Sequence, residues 1–494
     1  NCESKDFLRF FAGAPPAEVE CWATVYGASF TGHYGGQRGD GRAISVGQVC
    51  GKEVQLKGAG PTPYSRRSDG RAVLRSSVRE FLAQENMAAL RVPTTRSLCL
   101  VTTGERVRRY WYDEKGGAVV NVEPGAVGTR VSTSFLRFGQ LELFAQRGEL
   151  DLLRELVVHA LDREYPHLRD GRGPALSSCT LLTMFDEICQ RQAYLVAEWM
   201  RVGYCQGNMN SDNAAIGGFT LDYGPFSFME AFTEYYNPWV GGGKAYSYGM
   251  QPSAAATNLA GLANAFAALI IREAEKESTE EAIVTASLRT SIHKGFWDTF
   301  RSKHEDNCRA KLGLQQWDKE ASLLWKELLR LMGSRAGQWQ QATLASSEGP
   351  ADIMSRLRGH VAADKPDEIR GGIDYTLFFR SLGRGKLTMP ASPAEPLSVR
   401  DMALELLRPA ALESVEDWPA EHVDEWAAWF ERYWRRVEEE DRPENERCKE
   451  MALMNPLYIL RNWMAKEGYD AAERGDYSIV QELHEVLSAP YDEQ

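Results

Sequence analysis

The sequence predicts an α+β protein whose strands and helices are segregated along the chain. Two observations carry this. Short β-branched runs punctuated by Gly and Pro crowd residues 46–131, and helical periodicity takes over from Leu141, continuing almost throughout residues 272–494. The boundaries that follow are a β-rich region with one main helix at 1–133, a mainly helical region at 134–300 and a helical C-terminal region at 301–494.

Residues 46–57 read as two strands joined at Cys50-Gly51-Lys52, preceded by the Gly-rich segment GGQRGDGRA. KGAGPTPYSRRSDG is too rich in Gly, Pro and Ser for a regular element. A helix is expected after Ser68 or Asp69 as N-cap, with Leu74, Val78, Phe81 and Leu82 on one face. Strand-like runs follow at 98–101, 107–112 and 126–131. The helical patterns LELFAQ, LDLLRELVVHAL and TMFDEICQRQAYLVAEWMRV come next, with a loop expected at 170–174. MPASPAEP, at 389–396, reads as a surface loop. The aromatics of 418–434 recur at helical spacing, which points to core packing rather than a ligand box.

Composition narrows the class. Hydrophobic residues make up 43% and charged residues 26%, as in ordinary globular proteins. A net charge of −12 disfavours nucleic acid as a partner and requires any phosphate site to be local. Nine scattered cysteines without a CxxC pair argue against a disulfide framework and for a reducing compartment. The apolar stretch 254–271 is interrupted by Thr257, Asn258 and Asn264, so a buried helix is expected rather than a membrane span. No charged-then-apolar leader is expected within these residues.

Chemistry concentrates at three places. Gly35, Gly36, Gly39 and Gly41 lie just before the hairpin, where missing Cβ atoms allow backbone to approach phosphates. Lys57 ends a strand and is followed by a helix bearing Glu80, the pairing that orients a lysine on phosphates in kinases; Glu85 is the rival partner. In QGNMNSDNAAIGGFTLDYGPF, Asp212 and Asn213 precede Asp222 of a DYG triplet, in an expected strand-turn-strand setting. Oxygens from Asn213 and Asp222 suit Mg²⁺, with Mn²⁺ as an alternative.

This order of groups is that of a protein kinase, so the expected fold is bilobal and protein-kinase-like, with a largely α-helical C-terminal extension. One position departs. Where a kinase has its catalytic-base Asp, five residues before the metal-binding Asn, this chain has Asn208. An amide accepts no proton at neutral pH, which disfavours ordinary phosphorylation and leaves Asp212 as the nearest replacement base.

With these residues in view, the chain resembles the selenoprotein O (YdiU-like) family of kinase-like protein adenylyltransferases, once classed as pseudokinases. The resemblance runs through GDGRA, LKGAGPTPYSRRSDGRAVLRSSVREFL, PTTR, LRFG, MNSDN, DYGPF, NPLYILRNW and AAERGDYS. It departs at YGASFTGHYGG, for the family's YGGHQFG, and at QGNMN, for HGVMN. It implies that ATP binds flipped relative to a kinase, so that AMP passes to Ser, Thr or Tyr of protein substrates and pyrophosphate leaves. By motif position, Gly39, Gly41, Arg42, Lys57, Asp69, Gly70, Arg130 and Arg137 would contact the nucleotide. Lys57, Arg130 and Arg137 would hold the terminal phosphates, Asn213 and Asp222 would hold Mg²⁺, and Asp212 would be the base. The resemblance also implies a mitochondrial location for a eukaryotic member and a cytoplasmic one for a bacterial member. A conventional kinase and a non-catalytic nucleotide-binding module are the competing expectations.

Overall fold

The computed structural model describes residues 4–112, 118–169, 176–274, 281–333, 372–384 and 398–493. Strands β1 (Val25–Phe30) and β2 (His33–Gly39) form an antiparallel hairpin, so most of the Gly-rich segment is strand and only its end turns, at Asp40 and Gly41. A second hairpin, β3 (Ala43–Val49) and β4 (Lys52–Lys57), turns through Cys50 and Gly51, both at positive φ.

β4 pairs with β7 (Ala118–Ser132), which also takes β5 (Ala72–Val73) and β6 (Arg96–Tyr112) as antiparallel neighbours. The strand runs expected at 98–101 and 107–112 are thus one long strand, irregular between Thr102 and Arg106. Period-two alternation sorts the faces of β4. Val54 and Leu56 join Val46 and Val127 under Phe10 and Phe11 of helix α1 (Lys5–Phe11), leaving Gln55 and Lys57 for the opposite face.

That opposite face is covered by α2 (Leu74–Ala89), whose Leu74, Val78, Leu82 and Met87 share a core with Ala126. The helix begins later than the sequence suggested. Asp69 instead closes a local turn by accepting from the Arg71 amide at 2.9 Å, and Ala72 and Val73 are drawn into β5, so Val73 precedes the first turn. Its buried residues Ser77, Glu80 and Gln84 form a polar stripe beside the apolar one.

The helical part starts with α3 (Phe138–Gln146), α4 (Leu150–Glu164) and α5 (Ser178–Arg201), the last capped by the Ser177 hydroxyl accepting from the Thr180 amide at 3.0 Å. α5 packs on α6 (Gln251–Ala274) through Phe185 and Phe266. The segment Tyr248–Glu273 is long and apolar enough to cross a membrane by composition alone. Its Leu259, Leu262, Phe266, Leu269 and Ile270 are nevertheless core residues, as expected for a buried helix.

Between α5 and α6, β8 (Tyr204–Cys205) pairs with β9 (Ser227–Phe228) and closes the loop that carries Asp212 and Asp222. The expected strand-turn-strand is not there. Ser211–Asn213 is a single 3-10 turn, and before Asp222 come isolated bridges rather than strands, Ala214 to Thr220 within the loop, Ala215 to Arg137 and Thr220 to Thr94. Polar side chains from Asn208 to Asn213 bond backbone locally and compete with any ladder.

Trp426, Trp429, Phe430 and Tyr433 of helix Ala420–Glu439 pack with Phe378 and Phe379, so the Trp-rich segment is core. Helices Asn462–Glu473 and Ser478–Ser488 return to α2, where Asn86 donates to the Leu487 carbonyl at 3.0 Å and Arg79 to Asn462 Oδ1 at 3.0 Å. The eight described cysteines are unpaired. The loops expected at 170–174 and 389–396 lie outside the described residues.

Candidate active site

Strand register brings the first two cations together. Gln55 of β4 stands opposite Arg130 of β7, and Lys57 lies two residues further on the same face. α2 crosses this face and offers Glu80, whose two carboxylate oxygens are divided between the cations. Oε2 accepts from Lys57 Nζ, and Oε1 from Arg130 Nε at 2.6 Å. Glu85 is engaged elsewhere, with Arg96 Nη2 at 2.6 Å and the Ser97 amide at 2.9 Å.

Asp222 closes the cluster from the other part of the chain. Its Oδ1 accepts from Lys57 at 2.7 Å and also from Arg130 Nη2. Burial pushes the Asp222 carboxyl up, but Lys57 and then Arg130 hold it well below the usual carboxylate range. Burial, followed by Arg130, pulls the Lys57 ammonium below its ordinary value against the opposing pull of Asp222 and Glu80. Lys57, Glu80 and Arg130 are buried, Arg130 to 2% exposure, while Asp222 is half-buried, so the desolvation of these charges is offset by their mutual pairing.

Arg137, at the N-cap of α3, adds a third buried cation. Its Nη2 donates to Asp40 Oδ1 at 2.8 Å, its Nη1 to the Asp212 carbonyl at 2.9 Å, and its guanidinium lies 4.5 Å from the Tyr26 ring centroid. Asp40 is fixed in turn by the Thr24 hydroxyl at 2.6 Å and amide at 3.2 Å. Next to Arg137, Asp212 has a buried Oδ1 that no donor reaches among the described residues. Burial raises its pKa, opposed chiefly by Arg137, then by a hydrogen bond from its own backbone and by Arg38. Asn213 donates its amide to the Asn208 carbonyl at 3.2 Å, which fixes the side chain within the same loop.

The other expected nucleotide residues are placed less centrally. Arg42 is exposed, without a salt bridge among the described residues, and its charge is felt at both Lys57 and Asp222. Gly39 and Gly41 abut Tyr64 and its carbonyl. Asp69 pairs with Arg109 at 2.9 Å, and Gly70, at φ +66°, passes so close to the Gly60 carbonyl that a Cβ would stand 2.1 Å from it.

Sequence reasoning missed Asp40, Tyr26 and Arg38. Asp40 sits inside GDGRA, whose glycines drew the attention. Tyr26 and Arg38 are opposite each other in the β1–β2 register, a relation that no local spacing reveals.

The arrangement gathers buried cations around two carboxylates, which suits a polyphosphate substrate. The family model described as Protein adenylyltransferase SelO matches residues 1–488. The chain belongs to this family. It is 39% identical to the protein nucleotidyltransferase YdiU of Nitrosospira multiformis, over 96% of this chain and 78% of that protein. Against YdiU of Aromatoleum aromaticum it is 38% identical, over 100% of this chain and 83% of the relative. Like its SelO and YdiU relatives, the protein is a transferase that moves a nucleotidyl group.

Proposed function

We propose that this SelO-family protein transfers AMP from ATP to Ser, Thr or Tyr hydroxyls of protein substrates, with release of pyrophosphate. The observation that carries the reading is the pairing of opposites at one site: Lys57 and Arg130 are paired with Asp222, a third buried cation, Arg137, holds the Asp212 carbonyl, and Asp212 Oδ1, buried and without a hydrogen-bond donor among the described residues, feels the Arg137 charge.

In this reading Lys57, Arg130 and Arg137 take the β- and γ-phosphates, the part of ATP that becomes the leaving group. Gripping those phosphates stabilises the charge that develops on departing pyrophosphate when attack is at the α-phosphorus. Asp212 accepts the proton of the attacking hydroxyl. Oxygen then bonds to the α-phosphorus, the bond to the bridging α–β oxygen breaks, and pyrophosphate departs with that electron pair. The raised pKa of Asp212 makes it a stronger base than an ordinary aspartate.

Asn213 and Asp222 are the residues that would hold Mg²⁺ or Mn²⁺. Both offer hard oxygens, and among the described residues no group of three His, Cys, Asp or Glu forms a metal cage by itself. That donor set fits an ion that takes one or two protein oxygens and completes its shell with phosphate and water. When bound, the ion offsets phosphate charge. The regions 1–133 and 134–300 then correspond to the two lobes of a kinase-like scaffold, and 301–494 to its helical extension.

Two labels of ATP test the reading. With Mg²⁺, label from α-³²P ATP should be recovered in protein, either added dephosphorylated casein or the enzyme itself, while γ-³²P ATP leaves protein unlabelled. Transfer of the γ-label alone would make the protein a kinase, and transfer of neither would leave a nucleotide-binding module.

A further inference from the structure

Glu142 is buried to 5% exposure on α3, and among the described residues no cation pairs with it. Its carboxylate Oε2 accepts from the Ser211 hydroxyl at 2.6 Å and from the Ser29 hydroxyl at 2.9 Å, and Ser211 Oγ accepts from the Ser29 amide at 2.8 Å. The three residues close a ring. Ser29 lies in β1, beside the irregularity at Gly27, and Ser211 immediately precedes Asp212. One side chain therefore ties the Gly-rich hairpin to the loop that carries the base.

Stability does not account for this choice. A buried carboxyl without a cation costs free energy relative to an apolar side chain of similar size, and the charge that Glu142 does feel is the like charge of Asp212. The surrounding backbone is also drawn in tightly. A Cβ on Gly139 would stand 2.1 Å from the Gly27 carbonyl, and one on Gly261 of α6 would stand 2.9 Å from Glu142 Oε1. The same helix start holds the Asp212 loop a second time, through Arg137 on the Asp212 carbonyl.

We propose that Glu142 is a positioning residue for nucleotidyl transfer, which fixes Asp212 against the Gly-rich hairpin by accepting the Ser29 and Ser211 hydroxyls on a single oxygen. The inference rests on the reading of Asp212 as the base. Hydrogen-bond acceptance rather than charge is what the ring uses, because both partners are hydroxyls.

The test measures AMP incorporation from α-³²P ATP into dephosphorylated casein for the parent, Asp212→Ala, Glu142→Ala, Glu142→Gln and Ser29→Ala proteins, with melting temperatures alongside. Glu142→Ala should lower kcat at least about tenfold, the scale of losing alignment at a reacting atom, with KM for ATP changed less than about threefold. Glu142→Gln keeps an accepting oxygen and should restore most of the lost kcat. If Glu142→Ala does not fold, Ser29→Ala, which removes one donor only, should still lower kcat and leave KM for ATP in place. Parent-like kcat in Glu142→Ala, or in Ser29→Ala, overturns the inference, as does a well-folded Glu142→Gln no better than Glu142→Ala. Full turnover in Asp212→Ala overturns the base assignment first and the inference with it, so the two failures are distinguishable.

Discussion

Lys57 Nζ lies 2.7 Å from Asp222 Oδ1, the same oxygen that accepts from Arg130 Nη2. The carboxylate that would hold the metal therefore also neutralises the cations that would hold phosphate. Removing it leaves Lys57 and Arg130 with Glu80 alone and takes away an oxygen donor for the ion. Asp222→Ala should weaken Mg²⁺-dependent binding of α,β-methylene ATP by about 2 kcal/mol or more, measured by titration calorimetry. Undiminished affinity would remove Asp222 from the site.

Glu80 bridges Lys57 and Arg130 from the opposite side with one oxygen each. A neutral amide at this point leaves two buried cations facing each other with only Asp222 between them. Glu80→Gln should destabilise the fold by about 3 kcal/mol, the scale of breaking a buried ion pair, and raise KM for ATP. Urea denaturation and initial-rate kinetics read the two effects separately, and a change in neither refutes the bridge.

Gly70 combines a positive φ of +66° with a Cβ position 2.1 Å from the Gly60 carbonyl. Strain and collision act together there, and the obstacle is backbone, which has no rotamer with which to yield. Gly70→Ala should cost about 2 kcal/mol or more in unfolding free energy. Parent-like stability would mean that the turn between β4 and α2 is far looser than described.

Away from the site, Glu198 is 3% exposed and meets Arg201 at 2.7 Å, Lys303 at 3.2 Å and Asn307 at 3.0 Å. Burial pushes its carboxyl up, but Arg201, then Lys303, together with these hydrogen bonds, bring it below the ordinary glutamate value. A folded pKa below the unfolded one contributes stability that is complete above the unfolded value, about 4.3, and is lost as pH falls through the folded value. Glu198→Gln should therefore lower stability near neutrality and flatten its decline as pH falls below the ordinary glutamate range, measured by denaturant midpoints. An acid limb of unchanged steepness would exclude Glu198 as a contributor.

Local period and residue chemistry determined a good deal of this protein. Residue pattern put Lys57 at the end of β4 and Glu80 on the helix that follows, whose Leu74, Val78 and Leu82 share one face, and oxygen-bearing side chains marked the loop of Asp212, Asn213 and Asp222. Even the core role of Trp426 and Trp429 followed from spacing alone. What spacing does not contain is which distant surfaces meet. Arg130 bridges Glu80 and Asp222 because β7 pairs with β4 in one register while α2 docks across it; Arg137 and Asp40 join across 97 positions, and Ser29 and Ser211 across 182. Those pairings depend on strand register and helix docking, which minimise buried polar cost over the whole molecule, so only the tertiary structure decided them.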